Sequence, residues 1–290
     1  MSRWARVLGA GGVLAIWALC GGAGEGDDEL RVMSFNVRLG VADDGDNSWQ
    51  QRKELLAKTA RDFDPDLLGT QETYDFQAAY LLEHLPGRAY VGWPRQPDSS
   101  DGEECGILYR TSRFEKRDEG QFWLSDTPDV PGSKSWDSSL PRIVTWVELR
   151  DKRRPERRLV FLNTHFDHRG QEARLESARL LRKRLEGLNA VWIMTGDFNC
   201  AEASPPYVAL VGEGVGLTVV DSYRAAHPVR EDDEGTGNRF TGRRSGGRID
   251  WILHSPGLET VSAAIDRSEE KGRFPSDHFP VTAVLRWSDH

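Results

Sequence analysis

Residues 190–201 read AVWIMTGDFNCA. Val191 to Thr195 suit a buried strand. The run stops at Gly196, and Asp197 and Asn199 follow almost at once. One such ending is explained by turn chemistry alone. The chain repeats it. VMSFNVR (32–38) delivers Asn36, and LLGTQET (67–73) delivers Gln71 and Glu72. VFLNTHFDH (160–168) delivers Asn163, His165, Asp167 and His168. RIDWIL (248–253) carries Arg248 and Asp250, and FPSDHFPV (274–281) carries Ser276, Asp277 and His278. Alternate residues of a strand share one face, so Asn163, His165 and Asp167 fall in line. Strands that place acids, amides and imidazoles at a common edge build a polar pocket on an apolar scaffold.

The segments around these endings indicate an α/β domain. Helical spacing of apolar residues is expected over Gln50–Phe63, Thr73–Leu85 and Gln171–Glu186, with Gly187 as a stop. Ser204-Pro205-Pro206 reads as a cap and first turn. Arg150–Arg158 reads as a solvated hairpin loop, and Arg230–Gly247 as a long surface loop. With 290 residues, 38% hydrophobic and 29% charged, the chain has the composition of a globular protein. No solenoid repeat or long linker divides it.

Residues 1–26 differ from the rest. Arg3 and Arg6 precede an apolar run, Val7–Leu19, and a small-residue stretch, the pattern of a secretory signal peptide with a cut after Ala23. The run is short for a membrane span. The expectation is a signal peptide over 1–26, a single domain over 27–290, and a secreted or periplasmic protein. Lipid attachment at Cys20 is the weaker alternative, because Trp17 and Leu19 fit a lipid-attachment sequence poorly. Cys105 and Cys200 remain, either paired or as two buried thiols.

The residue types at the strand ends point to metal-assisted chemistry on a phosphate ester. Glu72 and Asp277, with Asn36 nearby, are hard oxygen ligands suited to one or two Mg²⁺ or Mn²⁺ ions. Only Cys200 accompanies the cluster, so a structural zinc site is not expected. A phosphate cradle with lysine and a G-x-S-x-G elbow are both missing. Histidines beside carboxylates move protons near neutral pH, and His165 and Asn199 are donors of the kind a developing phosphate charge needs. Taken singly, each residue has a plain structural explanation. Asp250 resists it most, because an unpaired carboxylate in an apolar strand is costly.

MSFNVR, GTQET, CGILYR, FLNTHFDH, TGDFN, GRIDWIL and SDHFPV, in that order from Arg31 to Leu285, resemble the superfamily of endonucleases, exonucleases and phosphatases related to deoxyribonuclease I. The resemblance implies a four-layer α/β sandwich, two facing and mostly antiparallel sheets flanked by helices, and divalent-metal-dependent hydrolysis of a phosphoester. It assigns the main metal ligand to Glu72, metal and phosphate support to Asn36, and a metal-site carboxylate to Asp277. His165 matches the histidine that contacts the scissile phosphate or protonates the leaving group. Asp197 and Asn199 match the pair that positions water, and Asp250 the acid that orients the catalytic histidine, His278. The base role stays open between Asp197 and His278.

Beyond these motifs, Arg142 has two readings, a ligand for a substrate phosphate or a structural salt bridge. Trp136, Asp137, Asp167, His168 and Glu104 are further candidates for the pocket. The expected partner is a phosphoester, small molecule or nucleic acid, acted on by a monomer with no stable protein partner. A net charge of −8 disfavours long polyanions and leans toward a small substrate, although Arg239, Arg243, Arg244 and Arg248 offer a local basic patch for a nuclease. A non-catalytic binding domain of the same fold is the rival class. A glycosidase leaves two histidines and two asparagines unexplained.

Overall fold

Strand β1, Glu29–Asn36, is buried on both faces, and its two faces have different neighbours. Leu30 and Val32 enter one apolar cluster, while Met33 and Phe35 enter another with Trp49, Leu56 and Leu81. Two-sided burial of this kind requires a layer above and a layer below. The computed structural model describes residues 28–99, 101–212 and 216–288, so the signal segment expected over 1–26 lies outside the described residues.

Two six-stranded sheets face each other. The first contains β1, β2 (Leu67–Thr73), β3 (Arg88–Val91), β4 (Glu104–Arg110), β11 (Leu258–Ile265) and β12 (Val281–Trp287), in the order β11-β12-β1-β2-β4-β3. The second contains β5 (Phe114–Trp123), β6 (Ile143–Asp151), β7 (Arg158–His165), β8 (Val191–Asp197), β9 (Val220–Asp221) and β10 (Asp250–His254), in the order β5-β6-β7-β8-β10-β9. Helices α1 (Trp49–Phe63) and α2 (Asp75–His84) cover the first sheet. Helices α3 (Gln171–Glu186) and α4 (Pro205–Val211) cover the second, and the short α5 (Ser222–Ala226) packs near β10 and β11. Only β1–β2 and β7–β8 pair in parallel, each joined across a helix; the other pairs are antiparallel. This is the expected four-layer sandwich.

Alternation along the strands explains why the site forms at one edge. Between the sheets, β1 presents Leu30, Val32, Ser34 and then Asn36; β7 presents Leu159, Phe161, Asn163 and then His165. Ile193, Thr195 and Asp197 follow the same course on β8. Each inner face thus turns from apolar to polar toward its C-terminal end. Parallel pairing brings Asn36 beside Gln71 and His165 beside Asp197.

Asn163 lies deeper and ties the sheets together. Its Nδ2 donates to the Thr70 and Gly106 carbonyls at 2.7 and 2.8 Å, and its Oδ1 accepts from Gln71 Nε2 and Thr195 Oγ1 at 2.7 and 3.0 Å. All four of its bonds are made, so it is a fastener and not a member of the site. Gly69 permits this approach: a Cβ there would stand 2.0 Å from Thr195 Oγ1.

Arg150–Arg158 forms the expected hairpin between β6 and β7, and Arg230–Gly247 the expected loop. Cys105 and Cys200 are free and buried, which settles their alternatives in favour of two thiols. The sequence pattern does not reveal β5, whose middle, EKRD, is exposed and charged. It is an edge strand, and charge on an edge deters pairing with another chain.

Candidate active site

The catalytic candidates are delivered by strand ends that topology forces together. Asn36, His165 and Asp197 end β1, β7 and β8. Strand β10 runs antiparallel to β8 with Asp250 opposite Asp197, so its first residue lies at the same edge. Strand β12 runs antiparallel to β1, which brings the Ser276–His278 loop to the end of β1. There Ser276 Oγ donates to the Asn36 carbonyl at 2.6 Å. Glu72 breaks parity with the inward residues of β2. The ladder to β4 shifts between Thr70 and Thr73, and Glu72 sits at φ 59°, which redirects its side chain into the pocket. Arg52 fixes the surrounding loops. It is 3% exposed, and its guanidinium donates to the carbonyls of Val37 (2.6 Å), Arg38 (2.9 Å), Asn47 (3.1 Å) and Pro275 (3.1 Å).

Both histidines converge on Asp197. His278 Nδ1 is 2.9 Å from Asp250 Oδ2, and its Nε2 is 3.8 Å from Asp197 Oδ2. His165 Nε2 is 3.4 Å from the same Asp197 oxygen. Asn199 Nδ2 donates to His165 Nε2 and to the Phe166 carbonyl, both at 3.0 Å. These two acceptors fix the orientation of the amide and leave the His165 proton on Nδ1, which faces Glu103 Oε1 at 3.4 Å. Asp197 is held by Asn36 Nδ2 at 3.0 Å and by the Asn199 N–H at 2.9 Å.

These contacts set the charges. Burial pulls the His278 imidazole down, but Asp250 and Asp197, with Asp277 behind them, outweigh it and hold the group well above its ordinary 6.5. His278 is therefore an imidazolium at neutral pH. Burial pushes Asp250 up, and the nearby Asp197 charge adds to that against His278. For Asp197, burial is outweighed by His165, His278 and the hydrogen bonds from Asn199 and Asn36, and its carboxyl falls below the ordinary value. Burial also opposes ionisation of Glu103, yet His165, Arg95 and Arg142 draw it down to about 2.

A cavity of about 360 Å³ opens on these groups, lined also by Arg38, Arg95, Arg142 and His168. Of its two expected readings, Arg142 shows the structural salt bridge. It is 4% exposed, with Nε 3.5 Å from Asp167 Oδ2 and Nη2 donating to His168 Nδ1 at 2.9 Å. Its Nη1 makes no hydrogen bond among the described residues and lies 3.6 Å from Glu103 Oε1.

Several expectations need correction. Glu104 does not face the site; it accepts from Tyr90 Oη at 2.5 Å, and its neighbour Glu103 occupies the place expected for it. Asp167 organises its loop, accepting from the N–H groups of Ser139, Leu140, Arg169 and Gly170. Asp137 caps α3 from outside, accepting from the Ala173 N–H at 2.7 Å. Trp136 does not line the cavity. Arg248 is buried against Asp221 (2.5 Å) and Glu202 (3.0 Å), and Arg244 lies 3.9 Å from Asp233, so the basic patch reduces to Arg239 and Arg243. Arg38, Arg95 and Glu103 were not singled out from sequence. Arg38 stood in the VMSFNVR stretch, whereas nothing local marks Glu103.

The donor set fits a hard divalent ion. Glu72 and Asp197 each bring a carboxylate oxygen within 4.8 Å of the other, with His165 beside them, its Nε2 taken by the Asn199 amide. Glu72 accepts from Asn36 Nδ2 at 3.1 Å and the Leu39 N–H at 3.0 Å, which leaves lone pairs free. Asp277 stands across Arg38 Nη1, 3.8 Å from Asp277 Oδ2 and 4.0 Å from Glu72 Oε2. These oxygens suit Mg²⁺ or Mn²⁺. A second cluster, Asp197, Asp250 and His278, lies beside it, with His278 Nδ1 engaged by Asp250 Oδ2 at 2.9 Å. Asn36 stands between these acids. Its Oδ1 accepts from the Arg38 N–H at 2.9 Å and keeps a second lone pair, while its Nδ2 donates to Glu72 and Asp197 and so orients both acids.

The profile described as the Endonuclease/Exonuclease/phosphatase family matches residues 33–278. A solved family protein from Bacteroides thetaiotaomicron is 36% identical, with TM-score 0.83 over 90% of this chain and 96% of that one. A mannosyl-6-phosphatase of the same organism is 37% identical, with TM-score 0.80 over 89% of this chain and 100% of that one. Protein angel of Drosophila melanogaster is 26% identical over 93% of this chain and 85% of its own.

Proposed function

The chain belongs to the endonuclease/exonuclease/phosphatase family, and from that membership we propose that it is a metal-dependent phosphatase acting on a small phosphorylated carrier such as a sugar phosphate. One observation carries this reading. His165 and His278 reach Asp197 from two sides, at 3.4 and 3.8 Å, inside a cavity of about 360 Å³ rimmed by three arginines. That volume suits a small ligand. A net charge of −8 supports a small substrate over a long polyanion, and so does the similarity to the mannosyl-6-phosphatase.

Each residue then has a task. Ionised Asp197 takes the proton from the attacking water. His278, an imidazolium locked by Asp250, donates a hydrogen bond to a phosphate oxygen and cannot act as base while it holds its proton. The two Asn199 amide hydrogens are engaged, so its Oδ1 is the end left to orient water. His165 lies beside Asp197 for contact with the phosphate or the leaving oxygen, and Arg142 Nη1 binds a non-bridging oxygen. A divalent ion held by Glu72, with Asp277 and Asp197 beside it, supplies further stabilisation of the developing charge.

The test is hydrolysis of sugar phosphates, nucleotides, an aryl phosphodiester and DNA, with Mg²⁺, Mn²⁺ or chelator. Metal-dependent release of phosphate from a sugar monoester, faster than cleavage of any diester, is expected. Preference for a diester by tenfold or more would overturn the monoester assignment.

We further propose export, on the apolar run Val7–Leu19 and the small residues after it. Among the described residues no helix is long and apolar enough to cross a membrane. N-terminal sequencing of the mature protein should begin after Ala23. An intact Met1 would exclude cleavage.

A further inference from the structure

On the far side of His278 a second cavity, of about 320 Å³, opens between the Gly237–Gly247 loop and the Asp277–His278 pair. Arg239 and Arg243 line it. The loop is anchored at this point. The N–H groups of Asn238 and Arg239 both donate to the Asp277 carbonyl, at 2.7 and 2.9 Å, and Phe279 N–H donates to Thr236 O at 2.7 Å. Asn238 Nδ2 donates to Ser276 O at 3.1 Å. The arginines therefore project from backbone fixed to the catalytic loop.

Their charge state of affairs differs from that of the catalytic cavity. Arg38 pairs with Asp44, Arg95 with Glu103, and Arg142 with Asp167 and Glu103. Arg239 and Arg243 have no carboxylate within 4.0 Å among the described residues, and Arg243 only reaches Ser245 Oγ at 3.0 Å. Two guanidinium groups without an ion-pair partner thus face one cavity, with Asp277 as the carboxylate on its lining. Gly246 and Gly247 form the wall opposite with no side chain to narrow it, and Gly246 uses φ 119°, which favours glycine. Guanidinium groups pair bidentately with phosphate oxygens, and backbone close by lets an anion sit deep.

We propose that this cavity is a second-anion subsite: the substrate is a small carrier bearing two phosphates, one hydrolysed beside His278 and the other held by Arg239 and Arg243. The proposal rests on the phosphatase reading above and specifies its substrate class. It needs a fixed spacing between the two phosphates and no extended nucleic acid.

The experiment compares hexose 6-phosphate with hexose 1,6-bisphosphate, and nucleoside 5′-monophosphate with the 3′,5′-bisphosphate, on the Mg²⁺-loaded protein. One bisphosphate is expected to exceed its monophosphate in kcat/KM by about tenfold or more, the scale of a charge-assisted contact. The Arg239→Gln/Arg243→Gln variant should lose that advantage through KM while monophosphate hydrolysis changes less than threefold. Equal rates on all pairs, or equal losses on both members of a pair, would overturn the subsite. Calorimetric binding of the bisphosphates and of inorganic phosphate to wild type and variant separates this from failure of the phosphatase reading. If nothing is hydrolysed, a tenfold weaker bisphosphate affinity in the variant alone still supports the subsite, and unchanged affinity refutes it. A gain seen only with a DNA oligonucleotide would assign the cavity to nucleic acid and reject the small carrier.

Discussion

Replacing Asp250 by asparagine tests the charge assignment most directly. The side chain is 1% exposed, and its Oδ2 lies 2.9 Å from His278 Nδ1. Asparagine keeps the volume and removes the charge. At an effective dielectric constant of about 20, unit charges at this separation attract by roughly 5–6 kcal/mol. Relief of the carboxylate's own burial returns part of that. Asp197, 3.8 Å from Nε2, continues to favour the imidazolium. A net loss of about 3 kcal/mol is consistent with the usual result of neutralising one member of a buried hydrogen-bonded pair. The expected effect is a roughly 100-fold fall in kcat/KM at neutral pH. The sign of the pH effect follows from the same contact. Asp250 raises the His278 pKa, so its removal lowers that pKa, and the alkaline limb of the pH–rate profile should move to lower pH. The assay is steady-state phosphate release across pH for wild type, Asp250→Asn, His278→Ala and the double variant. His278→Ala alone should lose at least about 100-fold. The double variant should be no worse than His278→Ala, because both remove one unit. Multiplicative losses, or an Asp250→Asn profile superimposable on wild type, would show that Asp250 does not act through His278.

Glu103→Gln should lower kcat about 10- to 100-fold, since Glu103 faces His165 Nδ1 at 3.4 Å, and should also lower the melting temperature, since it removes a carboxylate charge from Arg95 and Arg142; an unchanged kcat would leave Glu103 as an anchor for the two arginines only. Burial, with a neighbouring Asp75, raises Glu104 from 4.5 to about 7 despite its bond from Tyr90. The folded state thus favours its protonated form, and that contribution is complete below about 4.5 and lost as pH rises through 7. Glu104→Gln should therefore stabilise the protein at pH 8 by up to about 3 kcal/mol and hardly at all at pH 4, as read by urea unfolding at both values; equal effects at the two would contradict the linkage. Gly69→Ala forces a methyl group to within 2.0 Å of Thr195 Oγ1 and should destabilise by about 3 kcal/mol, checked by denaturant unfolding; a loss below 0.5 kcal/mol, on the scale of an ordinary surface change, would mean the sheets separate easily at that point.

The parts of the fold legible in the sequence are those where burial imposes a period. Strands β1, β7, β8 and β10 are buried on both faces and stand out as apolar runs, and Gln171–Glu186 matches α3 at both ends. β5 and β11 are edge strands whose middle residues are largely exposed, so no pattern separates them from loops. Their positions are fixed by pairing to β6 and β12, which is tertiary information. The Arg150–Arg158 loop was legible because charge and proline interrupt two apolar runs.

At the site, legibility follows from how far each side chain depends on its own strand. Asn36, His165, Asp197 and Asp250 project from ends of inner strands, and alternation alone points them between the sheets. Glu72 is at the wrong parity and reaches the pocket only through a bulge and a left-handed backbone, which sequence pattern does not announce; the motif around it did. Glu103 and Arg95 lie in the segment before β4; Glu103 acquires its place from His165 and Arg142, distant along the chain, and Arg95 acquires its place from Glu103. Glu104, one residue on, is carried by strand alternation to the opposite side and meets Tyr90 instead. A single residue of register thus separates the carboxylate that supports His165 from one that stays half-protonated near neutral pH. For the same reason, shifting the β2–β4 pairing by one residue would exchange their environments, placing Glu104 against His165 and burying Glu103 without its two arginines.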